Sequence, residues 1–339
     1  MVWHSLYKSP MFELDEQEMG RSFRDCVEHF PLSIFAMVMG IAGLGLGLRT
    51  WGEYGAPAWL GEPVLMFAWM VFFLLAVLFI FKAIRYPAET IIDLRHPVRL
   101  NYLAAISISI VLMSMVLQPH EPLPAKGVFA LGASFHLIVT ILVVNFWMHH
   151  ARFAITQVNP AWFIPAVGNV LVAIPAVAFG FGEIGWFFFS AGLLFWAMLM
   201  TIVFYRILFH EPLPVRVIPT LFILIAPPAV GFIAYVDLTG ELDSFARILF
   251  FIALFLTILL FTRIRGQAQI PFSLAAWSYT FPLAAMSIAL IEMAHLSGVR
   301  FYFWTGLALL LCVAVLVLLF LAMTVRAGFR GSFCRAEDP

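Results

Sequence analysis

The stretch that decides the fold is PTLFILIAPPAVGFIAY, residues 219–235. It contains seventeen residues and no charge, close to the roughly 20 apolar residues that a helix needs to cross a bilayer. It also holds Pro219, Pro227 and Pro228, and proline interrupts the hydrogen bonds of a helix. A broken helix at membrane depth requires neighbouring helices, ordered water or a water-lined cavity for its freed carbonyl groups. The stretch therefore predicts a membrane-spanning helix that lies inside a bundle.

The rest of the chain has the same apolar character. Of 339 residues, 63% are hydrophobic and 11% charged, whereas soluble domains are about 45–50% apolar and about 25% charged. We predict an all-α integral membrane protein in which a cytoplasmic segment, 1–30, and a cytoplasmic tail, 328–339, flank one transmembrane domain, 31–327. The hydrophobic runs predict ten spans in this domain, at 31–49, 63–84, 98–118, 126–148, 162–180, 184–208, 215–235, 244–264, 271–295 and 301–325.

The distribution of basic residues predicts the orientation. Lys and Arg resist transfer to the outer side of a membrane, so cytoplasmic loops are enriched in them. With the amino terminus inside, fifteen Lys and Arg fall on the cytoplasmic side, and only Arg49, Lys126, Arg247 and Arg300 fall outside. The bias supports an even number of spans and places both termini in the cytoplasm.

Helix-breaking and small residues divide unequally between the spans. Odd-numbered spans contain 22 Pro, Gly and Ser residues against 9 in the even-numbered ones, and the prolines alone divide eight to one. One interpretation is five helical hairpins, with the odd spans in an inner ring around a pathway and the even spans facing lipid. The alternative is that small residues only allow tight helix packing, as they do throughout membrane proteins.

The sequence offers little chemistry for an enzyme, a metal site or a cofactor. His136 is alone in the fourth span, and the adjacent His149 and His150 point to different faces of a helix end. The three cysteines lack the spacing of metal ligands. Net charge is zero without a basic cluster, which excludes nucleic acid as a partner. The partners that remain are the lipid bilayer and small solutes.

The few polar groups within the spans favour a weakly selective anion pathway. Glu292 in the ninth span is either a partnered residue near the outer end or a proton-relay acid. Kinked helices and small hydroxyl groups let an anion enter without a deep binding well, which favours anions that dehydrate easily. The available groups are Ser107, Ser109, Asn169, Ser278 and Thr280.

Five runs of sequence resemble one known family. They are FPLSIFAMVMGIAGL at 30–44, HPVR at 96–99, NPAWFIPAVGN at 159–169, PTLFILIAPPAVGFIAY at 219–235 and WSYTFPLAAMSIA at 277–289. These runs are similar to the tellurite-resistance and dicarboxylate transporter family, which includes TehA-like proteins and the slow anion channel of plant guard cells. The resemblance implies five hairpins in quasi-fivefold arrangement around a central pore, a homotrimer with one pore per subunit, and a location in the bacterial inner membrane.

The same resemblance implies a gate and a set of pore-lining residues. In TehA-like proteins the last Phe of the motif matching WSYTF plugs the pore, which is Phe281 here. A large apolar ring in a narrow path excludes ions sterically and by dewetting. The adjacent Pro282 is expected to kink the helix and hold that ring inward. The segments that match the family imply six further pore-lining residues: Ala36, Met39, Gly40, Ser107, Asn169 and Ala226.

The resemblance leaves two functions open. A third function is disfavoured because the sequence lacks the side chains that it needs. The first is an anion channel that passes chloride or nitrate and is closed by Phe281. The second is a secondary transporter that exports sulfite or tellurite-type oxyanions, or moves a dicarboxylate such as malate with protons. The third, a membrane-embedded enzyme or scaffold, lacks any clustered catalytic set in the sequence.

Overall fold

A computed structural model describes residues 23–96, 98–149, 154–263 and 270–329. These ranges contain ten helices long and apolar enough to cross a membrane, and they contain no strand. In chain order the helices are α1 (Leu32–Glu53), α2 (Ala58–Arg85), α3 (Arg99–Leu117), α4 (Pro122–His149), α5 (Pro160–Ala178), α6 (Gly182–Phe209), α7 (Val215–Thr239), α8 (Ser244–Phe261), α9 (Leu274–Ser297) and α10 (Arg300–Phe329).

The ten predicted spans are confirmed, with ends that differ by a few residues. The predicted termini fall mostly outside the described residues, which include 23–30 at one end and 328–329 at the other. A short helix at Phe23–Glu28 precedes α1. Another at Pro87–Arg95, which the sequence analysis did not predict, joins α2 to α3.

The helices pack as five hairpins whose odd members form a closed ring. Each odd helix contacts the even helix that follows it, from α1 with α2 to α9 with α10. In addition, α1 contacts α3, α3 contacts α5, α5 contacts α7, α7 contacts α9, and α9 returns to α1. Each even helix also touches the next odd helix around the ring. The quasi-fivefold symmetry of this arrangement stays a prediction.

Burial separates the two sets of helices. In the most apolar stretch of each odd helix, between 72% and 83% of the residues are buried, against 22% to 39% in the even helices. Large exposed side chains such as Met66, Phe73, Phe255 and Leu311 lie on even helices. The odd helices therefore form the inner layer, and the even helices carry the apolar surface that suits lipid.

Four of the odd helices begin with a 3₁₀-helical segment. These segments are Leu32–Ile34, Pro160–Trp162, Val215–Ile225 and Leu274–Tyr279. Runs of 3₁₀-helix longer than three or four residues are uncommon, and within a helix they often mark a functional or strained position. In α7 the eleven-residue segment contains Pro219, which cannot donate the hydrogen bond of a regular α-helical turn.

Two glycines of α1 allow α9 to approach closely. A Cβ atom at Gly40 would lie 2.0 Å from Thr280 Oγ1, and one at Gly43 would lie 3.0 Å from Ala284 Cβ. Small residues at such contacts let helix backbones pack tightly in membranes. This contact fixes the position of the first turn of α9, where Phe281 lies.

Candidate anion pathway

The start of α9 is anchored by hydrogen bonds before the helix becomes α-helical. Trp277 is fully buried, and its indole Nε1 donates to Thr324 Oγ1 of α10 at 3.0 Å. The Trp277 carbonyl accepts a hydrogen bond from Thr280 Oγ1 at 2.7 Å. The hydrogen bond to the Trp277 carbonyl holds the Thr280 side chain within this turn. Gly40 of α1 packs closely against the same side chain and holds the turn against α1. The backbone at residues 277–282 is therefore well fixed.

A cavity opens between the amino-terminal halves of the five odd helices. It has a volume of about 400 Å³ including its open side. Every odd helix contributes at least two residues, and none of the lining residues is Asp, Glu, Lys, Arg or His. The lining comprises Ala36, Met39, Tyr102, Ala105, Ile164, Val167, Ile223, Ala226, Trp277, Ser278, Phe281 and Pro282.

Phe281 lies in the wall of this cavity with 7% of its surface exposed. One edge of its ring rests against α1, because Phe281 Cδ2 is 3.4 Å from the place that a Cβ atom on Gly43 would take. The α-helical part of α9 begins at Thr280, so Pro282 lies in its first turn. Proline is tolerated there, since the first turn has unpaired N–H groups in any case. The change from 3₁₀-helix to α-helix occurs two residues before Pro282, and the kink at Pro282 stays a prediction.

Five of the eight predicted site residues lie together at this cavity: Ala36, Met39, Ala226, Phe281 and Pro282. The sequence analysis missed Tyr102, Ala105, Ile164, Val167, Ile223 and Trp277, and it named Ser278 only as an available polar group. Spacing along each helix was the available signal, since Ile164 with Val167 and Ile223 with Ala226 are three residues apart and share a face.

The other three predicted pore-lining residues make contacts between helices and do not line the cavity. Gly40 packs against Thr280 and Trp277 of α9. Ser107 Oγ lies 2.8 Å from His136 Nδ1 of α4, and Asn169 Nδ2 donates to Thr140 Oγ1 of α4 at 2.9 Å. Their role in lining a pore stays a prediction.

His136 is the centre of a buried polar cluster that joins α3, α4 and α5. The residue is fully buried, and its Nε2 lies 3.1 Å from the Pro165 carbonyl of α5. A carbonyl oxygen only accepts hydrogen bonds, so Nε2 carries a proton and donates to Pro165. Gly168 leaves room for the imidazole, because a Cβ atom there would lie 2.1 Å from His136 Cε1. The cluster fixes the spacing of two helices that border the cavity.

Glu292 has partners at the other end of α9. It accepts a hydrogen bond from the Tyr54 hydroxyl at 3.2 Å, and the Tyr54 ring lies 4.7 Å from that of His295. Burial, followed by the charge of Glu292, raises the pKa of Tyr54, so its hydroxyl stays protonated and donates. Of the two interpretations of Glu292, the geometry favours a partnered residue at the mouth.

Charged residues form a cluster at the end of the bundle opposite to Glu292. Lys82 is buried and lies 2.6 Å from Asp93 Oδ2, while Arg99 Nη1 donates to Asp93 Oδ1 at 3.0 Å. These three residues line a second cavity, of about 460 Å³ including its open side, and Tyr102 lines both cavities. Burial and the nearby Arg99 lower the pKa of His96, whose Nδ1 accepts from the backbone at the start of α3.

Comparison with known proteins identifies the family. The family model described as "SLAC1: Voltage-dependent anion channel" matches residues 29–325. This chain belongs to the SLAC1 family. The resemblance predicted from the sequence runs is thereby confirmed, and the matched residues include all ten helices nearly to the end of α10.

Individual relatives in the SLAC1 family have low sequence identity to this chain, but each match extends over most of it. The S-type anion channel SLAH2 of Arabidopsis thaliana is 29% identical over 273 residues, which cover 78% of this chain and 52% of the relative. The tellurite resistance protein TehA homolog of Haemophilus influenzae is 25% identical over 80% of this chain and 84% of the relative. An uncharacterized transporter of Methanocaldococcus jannaschii is 24% identical over 76% of this chain and 82% of the relative. The chain spans about half the length of the plant relatives that it matches.

Proposed function

We propose that this protein is an anion channel that passes small monovalent anions such as chloride and nitrate, and that Phe281 occludes its pore. The observation that carries the proposal is the single cavity to which all five odd helices contribute, with Phe281 in its wall. The description of the family as voltage-dependent anion channels supports the same substrate class. Catalysis has no part in this function.

The chemistry of the cavity suits weakly held anions. Its walls are mainly apolar, and Tyr102 and Ser278 supply the side-chain hydroxyl groups. A hydrophobic constriction closes to ions by dewetting, and a path without fixed positive charge holds no anion tightly. We therefore expect nitrate, which sheds water more easily, to pass at least as well as chloride.

Replacing Phe281 with Ala tests the gate. The smaller side chain removes the apolar obstacle, so chloride flux into liposomes is expected to rise at least about tenfold if the closed path costs about 1.4 kcal/mol or more. Phe232→Ala is the matched control, because Phe232 of α7 is a buried phenylalanine that packs against Phe250 of α8, outside the cavity. Equal flux through both variants at equal reconstitution would contradict the gate.

We further propose that the protein forms a homotrimer with one pore per subunit. In this proposal it lies in the bacterial inner membrane with both termini in the cytoplasm. The apolar surface of the even helices supports burial in lipid and against neighbouring subunits. Native mass spectrometry gives the number of subunits. Proteolysis of a terminal tag in right-side-out and inverted vesicles gives the orientation, and a tag cleaved from outside would contradict it.

The second candidate is a secondary transporter that exports sulfite or tellurite-type oxyanions, or a dicarboxylate such as malate. Two observations favour it: relatives are named as a transporter and a tellurite resistance protein, and Glu292 is an acid within α9. A transporter saturates with substrate and depends on the pH gradient. Flux that saturates, and that Glu292→Gln uncouples from pH, would favour this candidate over the channel.

A further inference from the structure

The last turn of α6 contains a buried cation without an anionic partner. Arg206 is 2% exposed, and its Nη1 donates to the backbone carbonyl of Glu211. Its Nε is buried with no hydrogen-bond partner, and so is Nε2 of His210, the residue directly after α6. Within the described part of the chain, no Asp or Glu oxygen forms an ion pair with Arg206.

The contacts present are too weak to balance this charge. Arginine is almost never fully buried unless it is paired, because the loss of hydration is expensive. The carboxyl end of α6 offers roughly half an elementary charge, spread over its last carbonyl groups. One further carbonyl, that of Glu211, adds only a dipole. A full negative charge is therefore the missing component.

The free edge of the guanidinium has the geometry of an oxyanion site. Nη1 donates to the Glu211 carbonyl, and Nε, on the edge that it shares with Nη2, is buried without a hydrogen-bond partner. Two N–H groups on one edge bind two oxygens of a phosphate or carboxylate in parallel. Nε2 of His210, four residues further on, provides one more unpaired polar atom.

The depth of Arg206 points to phosphate. At 1.5 Å per residue, the 28 residues of α6 extend roughly 42 Å, longer than the roughly 30 Å hydrocarbon core, so an upright α6 centred in the bilayer has its last turn among the headgroups. Tyr205, Leu208 and Phe209 in the same turn are 49%, 68% and 72% exposed and present a surface suited to lipid. Phosphate groups are the anions found at this level of a membrane.

We propose that Arg206, assisted by His210, binds the phosphate group of an anionic molecule at the end of α6. The two sources of such a group are the headgroup of an anionic phospholipid and free inorganic phosphate. The site lies on the outer layer of helices and is independent of the gate at Phe281. It goes beyond anion conduction, since its occupant stabilises the protein and is not transported.

The test compares the thermal unfolding of the full chain in phosphate-free maltoside detergent under three conditions. These are detergent alone, detergent with added phosphatidylglycerol, and detergent with added inorganic phosphate. For the wild type we expect phosphatidylglycerol or inorganic phosphate to raise Tm by about 2–4 °C. The increase should be lost in Arg206→Gln. Arg216→Gln is the matched control, because Arg216 is an exposed cation in the first turn of α7.

Each result has a defined meaning. A shift with phosphatidylglycerol alone supports a lipid headgroup, and a shift with inorganic phosphate supports a free ion, provided that Arg206→Gln removes it and Arg216→Gln keeps it. The proposal is overturned if the wild type shows neither shift, if Arg206→Gln keeps the shift, or if Arg216→Gln loses it equally. Should Arg206→Gln fail to fold, Arg206→Lys retains the charge without the two-bond edge and should keep less than half of the shift.

Discussion

At the scale of single residues, hydrogen bonds assign Ser107 a structural contact between helices. Its hydroxyl lies 2.9 Å from the Ala104 carbonyl of its own helix and 2.8 Å from His136 Nδ1 of α4. The hydroxyl of Ser109, equally buried, contacts only the Ala105 carbonyl of its own helix. Removing one partner of a buried hydrogen bond leaves the other unsatisfied. Ser107 therefore stabilises the contact between α3 and α4.

Ser107→Ala should destabilise the protein by about 1–3 kcal/mol, because His136 loses a buried partner. Ser109→Ala is the control, with an expected loss well below that, since a helix supplies the Ala105 carbonyl with its own hydrogen bond. The measurement is thermal unfolding in detergent, together with the ratio of nitrate to chloride flux. A changed ion ratio with unchanged stability in Ser107→Ala would instead support the original pore-lining prediction.

Of the residues predicted from the sequence, Phe281, Ala36, Met39 and Ala226 lie at one cavity. Ser107, Asn169 and Gly40 contact neighbouring helices instead, and their pore-lining role stays a prediction. The sequence does not separate these two groups, because the inner helices are buried on nearly every side. Hydrophobic periodicity therefore does not distinguish a face toward the pathway from one toward a neighbouring helix. In α3, for example, both Ala105, which lines the cavity, and Ser107, which contacts α4, are buried. Only contacts across helices separate the two directions.

At the scale of helices, the contact between α1 and α9 sets the position of Phe281, the proposed gate. Gly40→Ala would bring a methyl group to 2.0 Å from Thr280 Oγ1, so the turn before Phe281 has to move. Gly127 of α4 has nothing within 4 Å of the same position, which makes it a matched control. Both substitutions add one methyl carbon to a helix. The position is crowded at Gly40 and open at Gly127.

Gly40→Ala is expected to lower stability by about 1–3 kcal/mol through overpacking. Gly127→Ala is expected to be neutral or to raise stability by up to about 1 kcal/mol, because Ala favours helix over Gly. Thermal unfolding of both variants with the wild type checks the pair. If Gly40→Ala were as stable as Gly127→Ala, the close contact of α1 with α9 would be contradicted.

The number of helices and their division into two layers were predictable, whereas their local geometry was not. Ten hydrophobic runs and the excess of Pro, Gly and Ser in odd spans correctly predicted the inner and outer layers. The eleven-residue 3₁₀ segment at Val215–Ile225 and the helix at Pro87–Arg95 were missed. Both depend on packing against other helices, and single-sequence patterns carry little of that information.

At the scale of the whole molecule, the ring of odd helices accounts for the unusual composition. Prolines and glycines that would disrupt an isolated helix in lipid lie in the inner layer, where neighbouring helices surround them. The even helices separate this layer from the membrane with large apolar side chains. The central claim is that anions cross the protein through the cavity that the five inner helices share.

Modification of a cysteine introduced in the cavity tests that claim most directly. In the Phe281→Ala protein, Ala226→Cys places a thiol on the cavity wall, and Ala229→Cys places one in the same helix where it does not line the cavity. A negatively charged methanethiosulfonate reagent should block most of the current through the Ala226→Cys protein. It should have little effect on the Ala229→Cys protein or on Phe281→Ala alone. Unchanged current through an Ala226→Cys protein that mass spectrometry shows to be modified would contradict the pathway.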